Sequence, residues 1–331
     1  MSRAPRISIL LLLVAFGFAC EREALAPTSR SSLGALSTTS SLPAADPAIA
    51  FVGGGGLSVM NADGSNQAVV VPASTFDKFT GPGFPSWSPN AKSIVFAGSI
   101  GGVSGLWITD VTLVNGTPVG SNLHHLDITL PAGSTAGGNS AWSPQGDVIA
   151  IVASSVQWDR NIYVVPASGG TATVVYTSAP GYVPEWPTWS PDASKLVFAE
   201  RSIDTGAVVT VLRSLVVFDR TAAQVDTVVS LGGFFARYPA WSQLSNQIAY
   251  SGYSGNNPEG VYKVPFTGTR TPTATPVRLI NGRGPTWSPD ESKIAFVGGS
   301  HSTAGVTTLT LTTGATQLLA QRGGEPNWRR F

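Results

Sequence analysis

Five times the chain places a tryptophan before a serine, and each time an aromatic or aliphatic residue stands nine positions later. The pairs are Trp87 with Phe96, Trp142 with Ile151, Trp189 with Phe198, Trp241 with Tyr250, and Trp287 with Phe296. Successive tryptophans are 55, 47, 52 and 46 residues apart, while the spacing inside the motif never changes. A rigid unit joined by connections of variable length satisfies both observations, and a period in this range is the signature of a repeat architecture.

The unit reads as β-structure. In "PTWSPDESKIAF", proline stops a short strand because it has no N–H to donate, and Asp-x-Ser-Lys makes a tight turn by side-chain-to-backbone bonding. "KIAF" is then the returning strand. Third strands follow ("LWITD", "IYVVP", "LVVFD", "VYKVP", "TLTLT"), each with a polar or Gly-bearing turn and a fourth strand after it. Four antiparallel strands per repeat make a propeller blade. Composition agrees, with 37 Gly and 24 Pro, 42% hydrophobic residues and only 12% charged. Long helical periodicity is missing.

The two ends of the repeat array set the number of blades. Near the C-terminus "EPNWRRF" contains a sixth motif tryptophan, Trp328, with no returning strand after it. Near the other end "AIAFVGG" opens with a returning strand that has no tryptophan strand before it. One blade is therefore expected to take one strand from the C-terminus and three from the N-terminus. The expected fold is all-β: a six-bladed β-propeller of four-stranded antiparallel blades over residues 48–331, closed by pairing the C-terminal strand with the N-terminal blade. Closure removes the sheet edges that an open array would expose.

"LSVMNADGSNQAVV", together with the repeated P-x-WSPD-x-x-x-IAF, resembles the PD40 or WD40-like repeats of the TolB-type propeller family. The resemblance covers nearly all of the chain from residue 48 onward. It implies a six-bladed fold and a periplasmic, envelope-facing life with protein partners. The family's defining protein carries an N-terminal α/β domain, and in this chain a leader and a linker are expected in its place.

That leader is "MSRAPRISILLLLVAFGFAC". Two arginines precede a twelve-residue apolar run too short to span a bilayer comfortably, which fits a secretory signal over residues 1–19. Cys20 is the only cysteine, so no internal disulfide forms, and its position after the apolar run resembles a bacterial lipoprotein signal. Lipidation at Cys20 is the expectation, with residues 20–47, rich in Ser, Ala, Thr and Pro, as a flexible tether. The chain is then anchored to the outer membrane or faces the periplasm, or is secreted if the lipid signal is not used. Removing Arg3 and Arg6 with the leader leaves 18 basic residues against 19 acidic ones. Such a balance gives no reason to expect nucleic acid.

Regular recurrence assigns the motif tryptophans to packing between blades, and Trp107, inside a third strand, to the core. Function is expected where the pattern breaks. Connections from second to third strand, and from fourth strand to the next blade, emerge on one face around the mouth of the central channel. Trp158, Asp159 and Arg160 lie in the first kind of connection. Tyr182, Glu185 and Trp186 enter the blade of Trp189. Arg237 and Tyr238, with Phe234 and Phe235, enter the blade of Trp241, and Tyr253 and Asn256 follow it. Arg283, Arg322 and Glu325 enter the last two blades. Aromatic rings interleaved with arginines and carboxylates suit sugar rings or extended peptides, which offer flat apolar faces and polar edges together.

Catalytic signatures are weak. "GYSGN" lacks the last glycine of a nucleophile elbow, and "FVGGGGL" has no lysine after it to serve a phosphate. Adjacent His124 and His125 project to opposite strand faces with His301 far away, and "NADGSN" lacks most of a calcium loop. No catalytic residue, cofactor or metal is expected. The expected function is a monomeric, non-enzymatic envelope lipoprotein that binds a protein or a glycan such as peptidoglycan. The alternative is a glycan lyase or hydrolase, requiring carboxylates gathered at the channel mouth from Asp159, Glu185, Glu200, Asp204, Glu259 and Glu325. A third possibility is a structural lipoprotein whose loop face contacts a membrane complex.

Overall fold

The computed structural model describes residues 48–331 apart from Phe79, 155–159, 203–212, 230–233, 255–257, 269–273, 301–302 and Phe331. The expected leader, lipidated Cys20 and tether therefore lie outside the described residues, as do Trp158, Asp159, Asp204, Asn256 and His301.

Six four-stranded antiparallel sheets follow one another along the chain. In each, the strand ending at a motif tryptophan occupies one edge and pairs with the returning strand, which pairs with the third, and the third with the fourth. The tryptophan strands are Gly323–Trp328, Gly83–Trp87, Thr135–Trp142, Tyr182–Trp189, Phe234–Trp241 and Arg283–Trp287, here blades one to six. Blade one is completed by Ile49–Gly53, Gly56–Met60 and Ala68–Pro72. Its register, Ile49 opposite Trp328 and Gly53 opposite Gly323, is the predicted closure of C-terminal strand onto N-terminal blade. A two-residue parallel pairing of Ile128–Thr129 with Gly170–Thr171 adds a clasp between blades two and three.

The core is divided among the seams. Blades three and four bury Ala141 and Ile162 with Trp189 and Phe198, and blades four and five bury Val197 and Leu215 with Trp241 and Tyr250. Blades five and six join through Ala249 and Trp287, blades six and one through Ala295 and Trp328, and blades one and two through Leu57 and Trp87. The Trp189 and Trp287 indoles also donate backward across their seams, to the carbonyl oxygens of Ala141 (2.9 Å) and Ala240 (3.0 Å). Trp142 departs from the expectation: it is half-buried, and its Nε1 donates to Gly146 of its own hairpin. Trp107 is likewise half-buried, packed against the core of blades one and two with its ring edge-on to His125.

The repeated turns are built as the side chains suggest. Asp192 Oδ1 accepts from the Ser190 hydroxyl (2.6 Å) and the Ser194 N–H (3.1 Å), and Asp290 repeats this with Ser288 and Ser292. Asp63 in "NADGSN" accepts from the N–H and hydroxyl of Ser65, an ordinary turn.

Candidate functional site

All six tryptophan strands are interrupted, five of them at the same place and blade three slightly earlier, over residues 137–139. Pairing with the returning strand shifts register in every blade, so extra residues bulge out of the inner strand. In five blades the bulge comprises the residues three and two before the tryptophan, and the second of them is proline: Pro85, Pro187, Pro239, Pro285 and Pro326. The first takes a left-handed conformation, with φ of 51° at Phe84, 54° at Trp186, 52° at Tyr238, 62° at Gly284 and 50° at Glu325. A proline withdraws the right-handed helical region from the residue before it and has no N–H for the ladder. Blade three has Ser140 in place of the proline, and there Asn139 is not left-handed. The motif aromatics stand opposite these bulges, between ladder pairs such as Ala199 with Glu185 and Val197 with Thr188 on either side of Phe198. Phe96, Phe198 and Tyr250 are fully buried there.

A bulge re-aims the chain locally, and these six bulges border one space. The channel encloses a cavity of about 400 Å³ whose lining includes Phe84, Asn139, Trp186, Tyr238, Gly284 and Glu325, one bulge residue from each blade. Trp186 and Tyr238 lie against each other with ring centroids 4.3 Å apart. Their neighbours are polar. Glu325 Oε2 accepts the Phe84 N–H at 2.6 Å; burial pushes its carboxyl above the usual range, and the Phe84 bond and the Arg283 charge offset this only in part. Burial also raises the Tyr238 phenol, opposed by the Arg237 charge. Deeper in the channel, side chains of the inner strands bond from blade to blade: Ser86 to the Trp142 N–H, Thr286 to the Trp328 N–H, and Asn327 to the Trp87 N–H.

Two further clusters stand behind this layer. Arg237 pairs with Glu259 at 2.7 Å and lies over the rings of Tyr238 and Tyr253 at 5.2 and 5.9 Å. Glu185, 7% exposed, is approached by Arg201 at 3.3 Å and Arg160 at 3.6 Å. These pairs hold the inner strands where they enter the channel.

Among solved structures, the chain superposes on TolB from Acinetobacter baumannii with a TM-score of 0.62 at 16% identity, over 86% of this chain and 66% of that one. A TolB from Agrobacterium tumefaciens matches with a TM-score of 0.59 at 17% identity, over 84% and 90%. The fold is a TolB-type propeller. A chain of a nidogen/laminin complex shares the architecture more loosely, with a TM-score of 0.56 at 11% identity over 85% and 98%. At these identities the likeness is one of fold. No family model matches the chain, and no curated protein matches it by sequence.

Within the TolB-type propeller the sequence candidates divide. Trp186, Tyr238, Arg283 and Glu325 line the channel. Arg160, Glu185, Arg237 and Tyr253 form the supporting pairs. Tyr182 and Arg322 are exposed and stand apart from the cavity, Arg322 in the turn before the closing strand. Trp186, Glu185 and Tyr238, expected in connections, belong to inner strands of eight residues, because the left-handed residue lets the strand continue past its proline. Sequence reasoning missed Phe84, Asn139, Ser140 and Arg330, all of which line the channel. Phe84 and Asn139 were legible in principle, since aligning the repeats puts them in the same column as Trp186 and Tyr238. Of the four carboxylates set out for an enzyme that lie among the described residues, Glu185, Glu200, Glu259 and Glu325, only Glu325 lines the cavity. Glu200 accepts the Tyr176 hydroxyl at 2.7 Å. Among the described residues no three metal-ligating side chains converge.

Proposed function

We propose that this propeller is an envelope-facing lipoprotein that captures a protein or glycan partner at its channel mouth without transforming it. The observation that supports this most directly is the bulge layer, in which the tilted Trp186–Tyr238 pair faces an accessible cavity beside Arg283 and Glu325. Left-handed conformations at non-glycine residues cost stability, and such strain collects where a side chain has a task. Anchoring through Cys20 would hold the domain at a membrane surface on its tether.

A glycan and peptidoglycan array with the Cys20→Ser protein tests the binding role. Binding is expected, and Trp186→Ala with Tyr238→Ala should abolish it; binding that survives the double change rejects the channel mouth as the site. Cys20→Ser should itself release the protein from membranes, and unchanged fractionation rejects lipidation. One observation favours an enzyme acting on polysaccharide instead. The raised Glu325 carboxyl is the kind of group that retains a proton for general-acid work. Glycan turnover abolished by Glu325→Gln would establish that second reading.

A further inference from the structure

Arg330 brings to the channel a charge that has no ion-pair partner among the described residues. Arg330 stands two residues beyond the last motif tryptophan and lines the cavity. Its Nη2 donates to Thr188 Oγ1 at 3.1 Å and to the carbonyl oxygen of Trp189 at 3.2 Å. Those acceptors belong to blade four and Arg330 extends from blade one, the blade opposite in a ring of six. The side chain therefore crosses the channel axis and floors it. Thr188 is two residues beyond Trp186, just past the bulge on the same strand.

The remaining donors are not used up. Nη1 is buried and has no hydrogen-bond partner among the described residues. None of the ion pairs among the described residues includes Arg330. Burial lowers its pKa to about 10, which leaves it charged at neutral pH. A second buried polar atom without a partner, Ser140 Oγ, belongs to the same lining. Among the described residues only Arg283, Glu325 and Arg330 bring formal charge to the cavity wall, so their balance is positive by one even with Glu325 ionised.

A buried cation without a counter-charge is unfavourable, and an anion entering from the mouth would relieve it. We propose that the channel is a blind pocket for a carboxylate-bearing ligand, with the carboxylate against Arg330 and the ligand body resting on Trp186 and Tyr238. The planar guanidinium matches a planar carboxylate. A monoanion fits better than a phosphate dianion, because the net charge is one and Glu325 flanks the entry. The cavity falls within the range of small-molecule sites. The carboxylate has two sources, an acidic sugar or a peptide carboxyl group. The proposal rests on the channel mouth being a binding site.

Calorimetric titration of the Cys20→Ser protein with two matched pairs tests it: D-glucuronate against D-glucose, and an N-acetyl dipeptide with a free carboxyl group against its amide. At least one acid should bind about tenfold or more tightly than its neutral partner, and the pair that responds identifies the source. Arg330→Gln should erase that difference and Arg330→Lys should keep part of it, with circular dichroism confirming the fold of each. The wild-type comparison decides even if neither variant folds. Equal binding of acid and neutral partner, abolished by the Trp186 and Tyr238 changes, overturns the carboxylate pocket and leaves the channel mouth standing. Binding of none of the four probes overturns the pocket as well, while the array judges the mouth independently.

Discussion

Trp189 and Trp142 hold the same place in the repeat, yet only Trp189 is sealed. Trp189 has no exposed surface and bonds across the seam, whereas Trp142 is half-buried and bonds within its own turn. Trp189→Ala should therefore cost about 3–5 kcal/mol in chemical denaturation, through lost burial and the cavity left behind. Trp142→Ala should cost clearly less, and equal losses would contradict the difference in packing. Asp219 makes a separate prediction. The Lys195 ammonium, with the N–H groups of Ala222 and Thr221, holds its carboxyl down at about 2 against an unfolded value of 3.8. A depressed folded pKa contributes stability that is complete above the unfolded value and disappears as pH falls from 3.8 toward 2. Asp219→Asn should remove that part of the acid dependence, read as the urea midpoint across this pH window.

At the scale of the element, the inner strand does two things that its sequence shows separately. Proline two residues before the tryptophan reads as the start of a short strand, and the off-pattern residue before it reads as part of a loop. The two together make a bulge, because the left-handed residue rejoins the ladder beyond the proline. Phe84 tests this. Phe84→Gly and Phe84→Val both lose the ring, but a β-branched residue tolerates φ near 51° poorly and glycine adopts it freely. The valine protein should be less stable than the glycine protein by about 1–2 kcal/mol in thermal or urea unfolding. Equal stabilities would mean that the bulge relaxes. The hairpin turns, by contrast, were fully legible: Asp192 and Asp290 bond the residues two positions away, so nothing outside the turn was needed to read them.

At the scale of the whole molecule, the ring depends on its last strand. Deleting residues 325–331 removes two of the four ladder pairs with Ile49–Gly53, those of Asn327 and Trp328, and exposes the seam holding Trp328, Ile49 and Ala295. The truncated protein should lose its cooperative melting transition; a transition near that of the full chain would rule out the shared blade. The same strand delivers Arg330 to the opposite wall, so closure and the channel floor are one event.

The sequence by itself determined the repeat, the blade, the number of blades and the closure. Each follows from local chemistry at fixed spacing: proline ending a pairing, aspartate making a turn, an aromatic residue returning nine positions later. Only the tertiary structure decided which off-pattern residues meet. Trp186 and Tyr238 are 52 residues apart, and Arg330 and Thr188 are 142 apart. Their contact depends on the curvature of the ring and on which side of a bulged strand each side chain leaves, and no local pattern encodes either. That is why Arg330, two residues from a motif tryptophan in sequence, gave no sign that it crosses the channel.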